Sequence, residues 1–215
     1  MLVTVDGHAV EVEPGTTVLE AIRAAGGSVP TLCFDDRQAP FGACRVCLVE
    51  AQGAPAPLPA CTTPCRDGMV LDTRSERVRR VARTIVELVL SELPEPPETH
   101  TELAAVATQL GAGRGRFAGT VHQRDLDDRH PYLAFRHELC ISCGRCVRAC
   151  DEVQGAFALT ATGRGFQANV SAGLDAGFRN STCVSCGACA DTCPTDAITE
   201  NTLLALTSIV EGGAP

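Results

Sequence analysis

The sequence predicts an α+β protein made of two small cysteine-rich units and a helical connector. Three observations predict it. Apolar and polar residues alternate on both sides of Asp6-Gly7, two stretches pair helix-start signals with helical apolar spacing, and a cysteine run at Cys140 is repeated at Cys183.

Taken in chain order, "LVTVDGHAVEVE" reads as a β-hairpin, because Asp-Gly is a favoured two-residue turn between Val-rich runs. "PGTTVLEAIRAAGG" reads as a short helix. Thr17 and Glu20 have capping-box spacing, and Gly26-Gly27 stops it. "CRVCLVEA" and "GMVLDT" are further strands, closing a first unit over 1–73. A longer helix follows, with Thr73 and Glu76 as a second capping box. Its inner face is Val78, Val81, Ala82, Ile85, Leu88 and Val89, and its outer face Arg74, Arg77, Arg80 and Arg83. That arginine face reads as solvated charge, with a docking surface as the alternative. The prolines of "LPEPPE" end the helix. "TELAAVATQLGAG" is a second connector helix, and an irregular stretch completes a connector over 74–131. The second unit, with the carboxy-terminal tail, spans 132–215.

Net charge is -8, from 18 basic and 26 acidic residues, which disfavours broad nucleic-acid or anionic-membrane binding. No apolar run approaches the roughly 20 residues of a membrane span; "VARTIVELVL" is interrupted by Arg83 and Glu87. The start lacks a basic region leading into an apolar one, so a cytoplasmic location is expected. A protein carried across a membrane on a partner's signal would look the same. Aromatic residues are only 4% and Trp is absent, so the apolar core is thin. Thirteen cysteines in a reducing compartment read as metal ligands, whose binding supplies folding free energy that such a core lacks.

Cys140, Cys143, Cys146 and Cys150 follow C-x2-C-x2-C-x3-C, and Cys183, Cys186, Cys189 and Cys193 repeat it before Pro194. Three thiolates so spaced wrap three iron corners of a cubane, while the fourth cysteine ligates the other cluster. The expected sets are therefore Cys140, Cys143, Cys146 and Cys193 for one [4Fe-4S] cluster, and Cys150, Cys183, Cys186 and Cys189 for a second. Gly144 and Gly187 let backbone amides approach the sulfurs. Two zinc sites are the alternative, but zinc ribbons use separated C-x2-C pairs. The pattern resembles a bacterial two-cluster ferredoxin, with Asp151 where Pro would follow the first run.

The amino-terminal set is Cys33, Cys44, Cys47 and Cys61, in "CFDDRQAPFGACRVCLVEAQG" and "LPACTTPCRDGM". These stretches resemble the [2Fe-2S] domain that opens the large iron–sulfur subunit of NADH dehydrogenase (complex I) and its relatives. The resemblance implies a β-grasp fold, one [2Fe-2S] cluster and these four ligands; a zinc site on the same thiols is the rival. Cys65 is left over, as a spare thiol or a substitute for Cys61. In that family the helix after this domain leads to a further [4Fe-4S] cluster with one histidine and three cysteine ligands. Here "LSELPEPPETHTELAAVATQLG" has no cysteine. Leu93 takes the place of the histidine and Thr101 that of a cysteine, and His100 reads as a surface residue. This cluster is expected to be absent.

"CGRCVRACDEVQGAFALTATGRGF" and "CVSCGACADTCPTDAITE" look most like the iron–sulfur stretch of NAD-dependent molybdenum or tungsten formate dehydrogenases. They are similar also to the diaphorase small subunit of NAD-reducing [NiFe] hydrogenases. The resemblances, covering about 1–200, imply an electron-relay subunit that is not itself catalytic. Its partners would be a flavin- and NAD-binding diaphorase subunit and a catalytic subunit, either molybdopterin-dependent formate dehydrogenase or [NiFe] hydrogenase. Because the chain stops at Pro215, substrate chemistry is expected on another chain. The alternatives are a free ferredoxin-like carrier and a cluster-based regulatory or assembly protein; the arginine-striped helix and the apolar tail "LLALTSIV" favour fixed docking. "GAGRGRF" and "GRGF" read as turns rather than nucleotide loops, and His137 as a residue near a cluster.

Overall fold

The structure, a computed structural model, describes residues 1–122, 124–173 and 176–201. The tail "LLALTSIV" lies outside them. Two compact units emerge. The first comprises 1–34, 40–91 and 104–119; the second comprises 35–39, 92–103 and the described residues from 120 onward.

In the first unit, β1 (Leu2–Val5) and β2 (His8–Glu11) form the expected hairpin. Asp6 and Gly7 both have positive φ, at 49° and 87°, as a two-residue turn matched to strand twist requires. Helix α1 (Val18–Ala24) has the complete capping box. The Thr17 hydroxyl accepts from the Glu20 amide at 3.3 Å, and the Glu20 carboxylate accepts from the Thr17 amide at 2.6 Å. At its other end the Gly26 and Gly27 amides donate to the Arg23 and Ile22 carbonyls, so the last turn's acceptors are satisfied. Strands β3 (Leu48–Ala51), β4 (Leu58–Pro59) and β5 (Val70–Asp72) complete a sheet in the order β2-β1-β5-β3-β4, with β5 parallel to β1. Val3, Val5, Val49 and Leu71 of the sheet bury against Val18, Leu19 and Ile22 of α1.

Helix α2 (Glu76–Glu92) differs from its reading in two ways. Thr73 is not its cap: its hydroxyl and amide donate to Asp6 at 2.6 and 2.8 Å, and the helix begins only at Glu76. The buried stripe is Val78, Ala82, Val86 and Leu90, at i, i+4 steps, while Leu88 is exposed. Glu87 is also buried, held by Arg83 and Arg116 at 2.8 and 2.7 Å. Helix α3 (Glu102–Leu110) follows, as expected for "TELAAVATQL".

The second unit has a duplicated plan. Its first half is β6 (Leu133–Phe135), a cysteine loop, α4 (Arg145–Arg148) and β7 (Leu159–Thr162). The second half is β8 (Asn169–Ala172), a cysteine loop, α5 (Ala188–Asp191) and β9 (Ile198–Glu200). Pairing crosses the halves: β6 is antiparallel to β9, and β7 to β8. Leu133, Phe135, Leu159, Val170, Phe178 and Ile198 bury around the cysteines. The fold is the expected α+β arrangement of two ferredoxin-type units. Among the described residues, no helix is long and apolar enough to cross a membrane.

Candidate metal centres

The first unit brings Cys33, Cys44, Cys47 and Cys61 together. The Cys44 amide donates to Cys33 Sγ at 3.4 Å. Cys33 is within hydrogen-bond reach of the Cys44 and Cys61 thiols, and Cys61 of Cys47. This crowding redistributes protons. Bonds from Cys44 and Cys61 pull the Cys33 thiol far down, and the bond from Cys61 lowers Cys47 to about 7. The same contacts with Cys33 push Cys44 and Cys61 up. Amides of Ala43, Cys44, Val46 and Ala60 also point at these sulfurs. Arg45 adopts φ 57°, in the turn that carries the chain from Cys44 to Cys47. Cys65 stands apart. It is buried in the apolar core, its amide donates to the Thr16 carbonyl at 2.8 Å, and burial pushes its thiol up.

In the second unit the eight thiols line two small cavities. One is lined by Cys140, Cys143, Cys146 and Cys193, with Phe135, Ile141, Val170, Pro194 and Ile198. The other is lined by Cys150, Cys183, Cys186 and Cys189, with Leu133, Leu159, Phe178 and Val184. Both loops use one backbone shape. Ser142 and Gly144 have φ 52° and 76°, while Ser185 and Gly187 have 58° and 77°. A Cβ on Gly187 would approach Glu200 Oε1 to 2.9 Å. These left-handed positions turn amides toward sulfur: Ser142 donates to Cys140, Arg145 to Cys143, and Ser185 to Cys183 at 3.4 Å, while Val170 of β8 also donates to Cys140. The Ala158 amide donates to Cys150 Sγ at 3.2 Å.

Burial in these apolar walls pushes Cys143 and Cys189 to about 12 and raises Cys140, Cys146 and Cys183. Deprotonation there needs a strongly cationic occupant, as an iron–sulfur core is. All-thiol donors, amides aimed at sulfur and apolar walls fit such clusters.

The histidines lie outside these sets. His137 stacks on Phe135, a wall of the first cavity, with ring centroids 3.8 Å apart, and its Nδ1 is 3.3 Å from Asn169 Oδ1. His100 is exposed and pairs with Asp196 at 2.6 Å, while Leu93 and Thr101 are buried. "GRGF" belongs to the turn joining β7 to β8.

Sequence reasoning missed a buried polar group around Arg145. Its Nε donates to Thr192 Oγ1 at 3.0 Å, and its guanidinium meets Glu102 at 2.7 Å and Asp35 at 3.3 Å. Arg145 lies inside the cysteine run, but its partners are too distant in sequence for any local pattern to reveal them.

Residues 2–76 match a 2Fe-2S iron-sulfur cluster binding domain, and residues 139–197 match a 4Fe-4S dicluster domain. A chain of an NAD+-reducing [NiFe]-hydrogenase, solved in the H2-reduced state, superposes with a TM-score of 0.85. It is 32% identical, with 93% of this chain and 87% of that one covered. The chain therefore carries both iron–sulfur domain types and is similar to iron–sulfur subunits of NAD(P)H-linked oxidoreductases and hydrogenases. Curated relatives similar to it include the mitochondrial 78 kDa subunit of NADH-ubiquinone oxidoreductase from Candida albicans, 34% identical over 76% of this chain and 24% of the relative. The alpha subunit of NADPH-Fe(3+) oxidoreductase from Geobacter sulfurreducens is 34% identical over 75% of this chain and 20% of the relative. Subunit HndD of the NADP-reducing hydrogenase from Solidesulfovibrio fructosivorans is 32% identical over 94% of this chain and 36% of the relative. The chain thus spans about a fifth to a third of the length of those curated relatives.

Proposed function

We propose that this chain is a cytoplasmic electron-relay subunit linking a flavin- and NAD(H)-binding diaphorase subunit to a catalytic subunit. The carrying observation is that twelve of the thirteen cysteines gather into three groups of four, two of them completed by a cysteine from the other motif. Cys33, Cys44, Cys47 and Cys61 would hold a [2Fe-2S] cluster. Cys140, Cys143, Cys146 and Cys193 would hold one [4Fe-4S] cluster, and Cys150, Cys183, Cys186 and Cys189 the other. When bound, the clusters supply one-electron transfer. The chain's own work is to fix each cluster by thiolates, stabilise the sulfurs' negative charge with amides, and exclude water with Phe135, Ile141, Leu133 and Phe178. The domain scheme is a [2Fe-2S] β-grasp domain over 1–73, a connector without the histidine-ligated cluster over 74–131, and a two-[4Fe-4S] domain from 132 onward.

For the catalytic partner we read a formate dehydrogenase, on the "DEVQG" and "GRGF" resemblance. A second reading, the diaphorase small subunit of a [NiFe] hydrogenase, draws support from the close fold match to the NAD+-reducing enzyme.

Metal analysis tests the site assignment. About 10 iron and 10 sulfide per chain are expected from one two-iron and two four-iron clusters. About 14 of each would restore the histidine-ligated cluster, and zinc without sulfide would overturn the assignment. Affinity purification from the native host tests the relay. Co-purification with a formate- or hydrogen-oxidising subunit and a flavoprotein is expected, whereas a lone monomer with full cluster content sinks the subunit reading in favour of a free carrier.

A further inference from the structure

The two cysteine motifs share spacing and backbone shape but differ beside their ligands. In "CGRC", Arg145 stands between Cys143 and Cys146; in "CGAC" its counterpart is Ala188. Thr192 precedes Cys193, whereas Ala149 precedes Cys150. Because Cys150 and Cys193 line each other's cavities, both polar residues belong to the first site and both alanines to the second.

The Arg145 guanidinium is deeply buried, with a side chain 5% exposed, and Thr192 is fully buried. Arg145 reaches Thr192, Glu102 and Asp35 as described above. The Thr192 hydroxyl donates to Asp35 at 2.7 Å and accepts from Gln38 Nε2 at 3.3 Å. Arg37 donates three times to Asp35, through its amide at 2.9 Å and its guanidinium at 3.0 and 2.8 Å. One buried cation and its carboxylates are therefore anchored through the residues next to Cys143, Cys146 and Cys193. The Arg145 amide itself donates to Cys143. Charges act strongly over a few ångströms where water is excluded.

We propose that this ion group sets the reduction potential of the first [4Fe-4S] cluster. The Arg145 cation raises it, Asp35 and Glu102 lower it, and the second cluster, flanked by Ala188 and Ala149, lacks the control. The proposal rests on the ligand sets assigned under the proposed function. A cation beside the cluster favours the state with the extra electron, and a carboxylate disfavours it. The charge pattern thereby makes two sites of near-identical thiol geometry unequal steps in a relay.

EPR-monitored potentiometry of the cluster-loaded full chain tests this, the first cluster's signal being the one unaffected by Cys186→Ser. Arg145→Gln is expected to lower that cluster's potential, shifting its reduced-to-oxidised ratio on the order of tenfold, about 59 mV for one electron. Asp35→Asn is expected to raise it, Arg145→Lys to stay nearer the wild type, and the second cluster to stay put in all three. A purely structural ion pair would give no shift, or shifts of one sign, and either result overturns the proposal. Should the buried variants lose iron, Glu102→Gln decides: its carboxylate is half exposed, so the chain tolerates the change. An unchanged first-cluster potential there counts against the proposal and a raised one supports it. Wild-type protein without two four-iron signals would instead remove the ligand sets on which the proposal stands.

Discussion

Cys150 and Cys193 are exchanged between the two cysteine-lined cavities. Cys150 lines the one formed by Cys183, Cys186 and Cys189, and Cys193 the one formed by Cys140, Cys143 and Cys146. Each site thus needs both halves of the duplicated unit. Cys193→Ser is expected to alter the EPR signal of the cluster held by Cys140, Cys143 and Cys146, and Cys150→Ser that of the other. If each substitution instead damaged the cluster of its own motif, the exchange would be wrong.

Cys61 and Cys65 lie four residues apart but in different surroundings. Cys61 is in reach of Cys33 and Cys47, whereas Cys65 packs in the core and bonds through its amide to Thr16. Cys61→Ser is expected to abolish or strongly alter the two-iron signal. Cys65→Ala is expected to leave that signal and the iron content unchanged, at about 1 kcal/mol of lost packing. Loss of the two-iron signal in Cys65→Ala would make it the fourth ligand.

Glu87 is a buried carboxylate on α2 facing Arg83 and Arg116, which hold it below the usual carboxylate range, Arg83 most strongly. A carboxyl whose pKa is lower when folded contributes stability above its unfolded value of about 4.3, and loses it as pH falls through the folded value. Hydrogen exchange at α2 amides, compared with Glu87→Gln, should show wild-type protection falling more steeply below roughly pH 4. Parallel pH profiles would show that the pair contributes nothing.

The Thr17–Glu20 capping box starts the helix whose buried face seals the first unit's core. Thr17→Ala is expected to cost about 1 kcal/mol. In urea the visible absorption of the two-iron site should bleach at lower denaturant than in wild type. An unchanged midpoint would mean that the cap is dispensable.

What was legible in the sequence follows from short-range physics. Asp6-Gly7 announced its turn because both residues tolerate positive φ, and Thr17 with Glu20 and Gly26-Gly27 announced the ends of α1. Thr73 had the same cap signal but was captured by Asp6, a partner on the first hairpin. The inner face of α2 was misread in part because alternating Val, Ile and Leu offer several apolar stripes. Packing selected Val78, Ala82, Val86 and Leu90 and left Leu88 exposed.

By itself the sequence determined the spacing of the two repeated cysteine runs, from which the exchange of Cys150 and Cys193 was expected, whereas the set Cys33, Cys44, Cys47 and Cys61 rested on a family resemblance. Ligand spacing along a chain of fixed bond lengths limits which sulfurs can meet. The tertiary structure alone decided which strands pair across the duplicated halves, that Glu87 is buried against Arg116, and that Arg145 closes on Asp35, Glu102 and Thr192. Those choices depend on desolvation: a buried charge is tolerated only where the folded chain supplies partners, and here they come from distant segments.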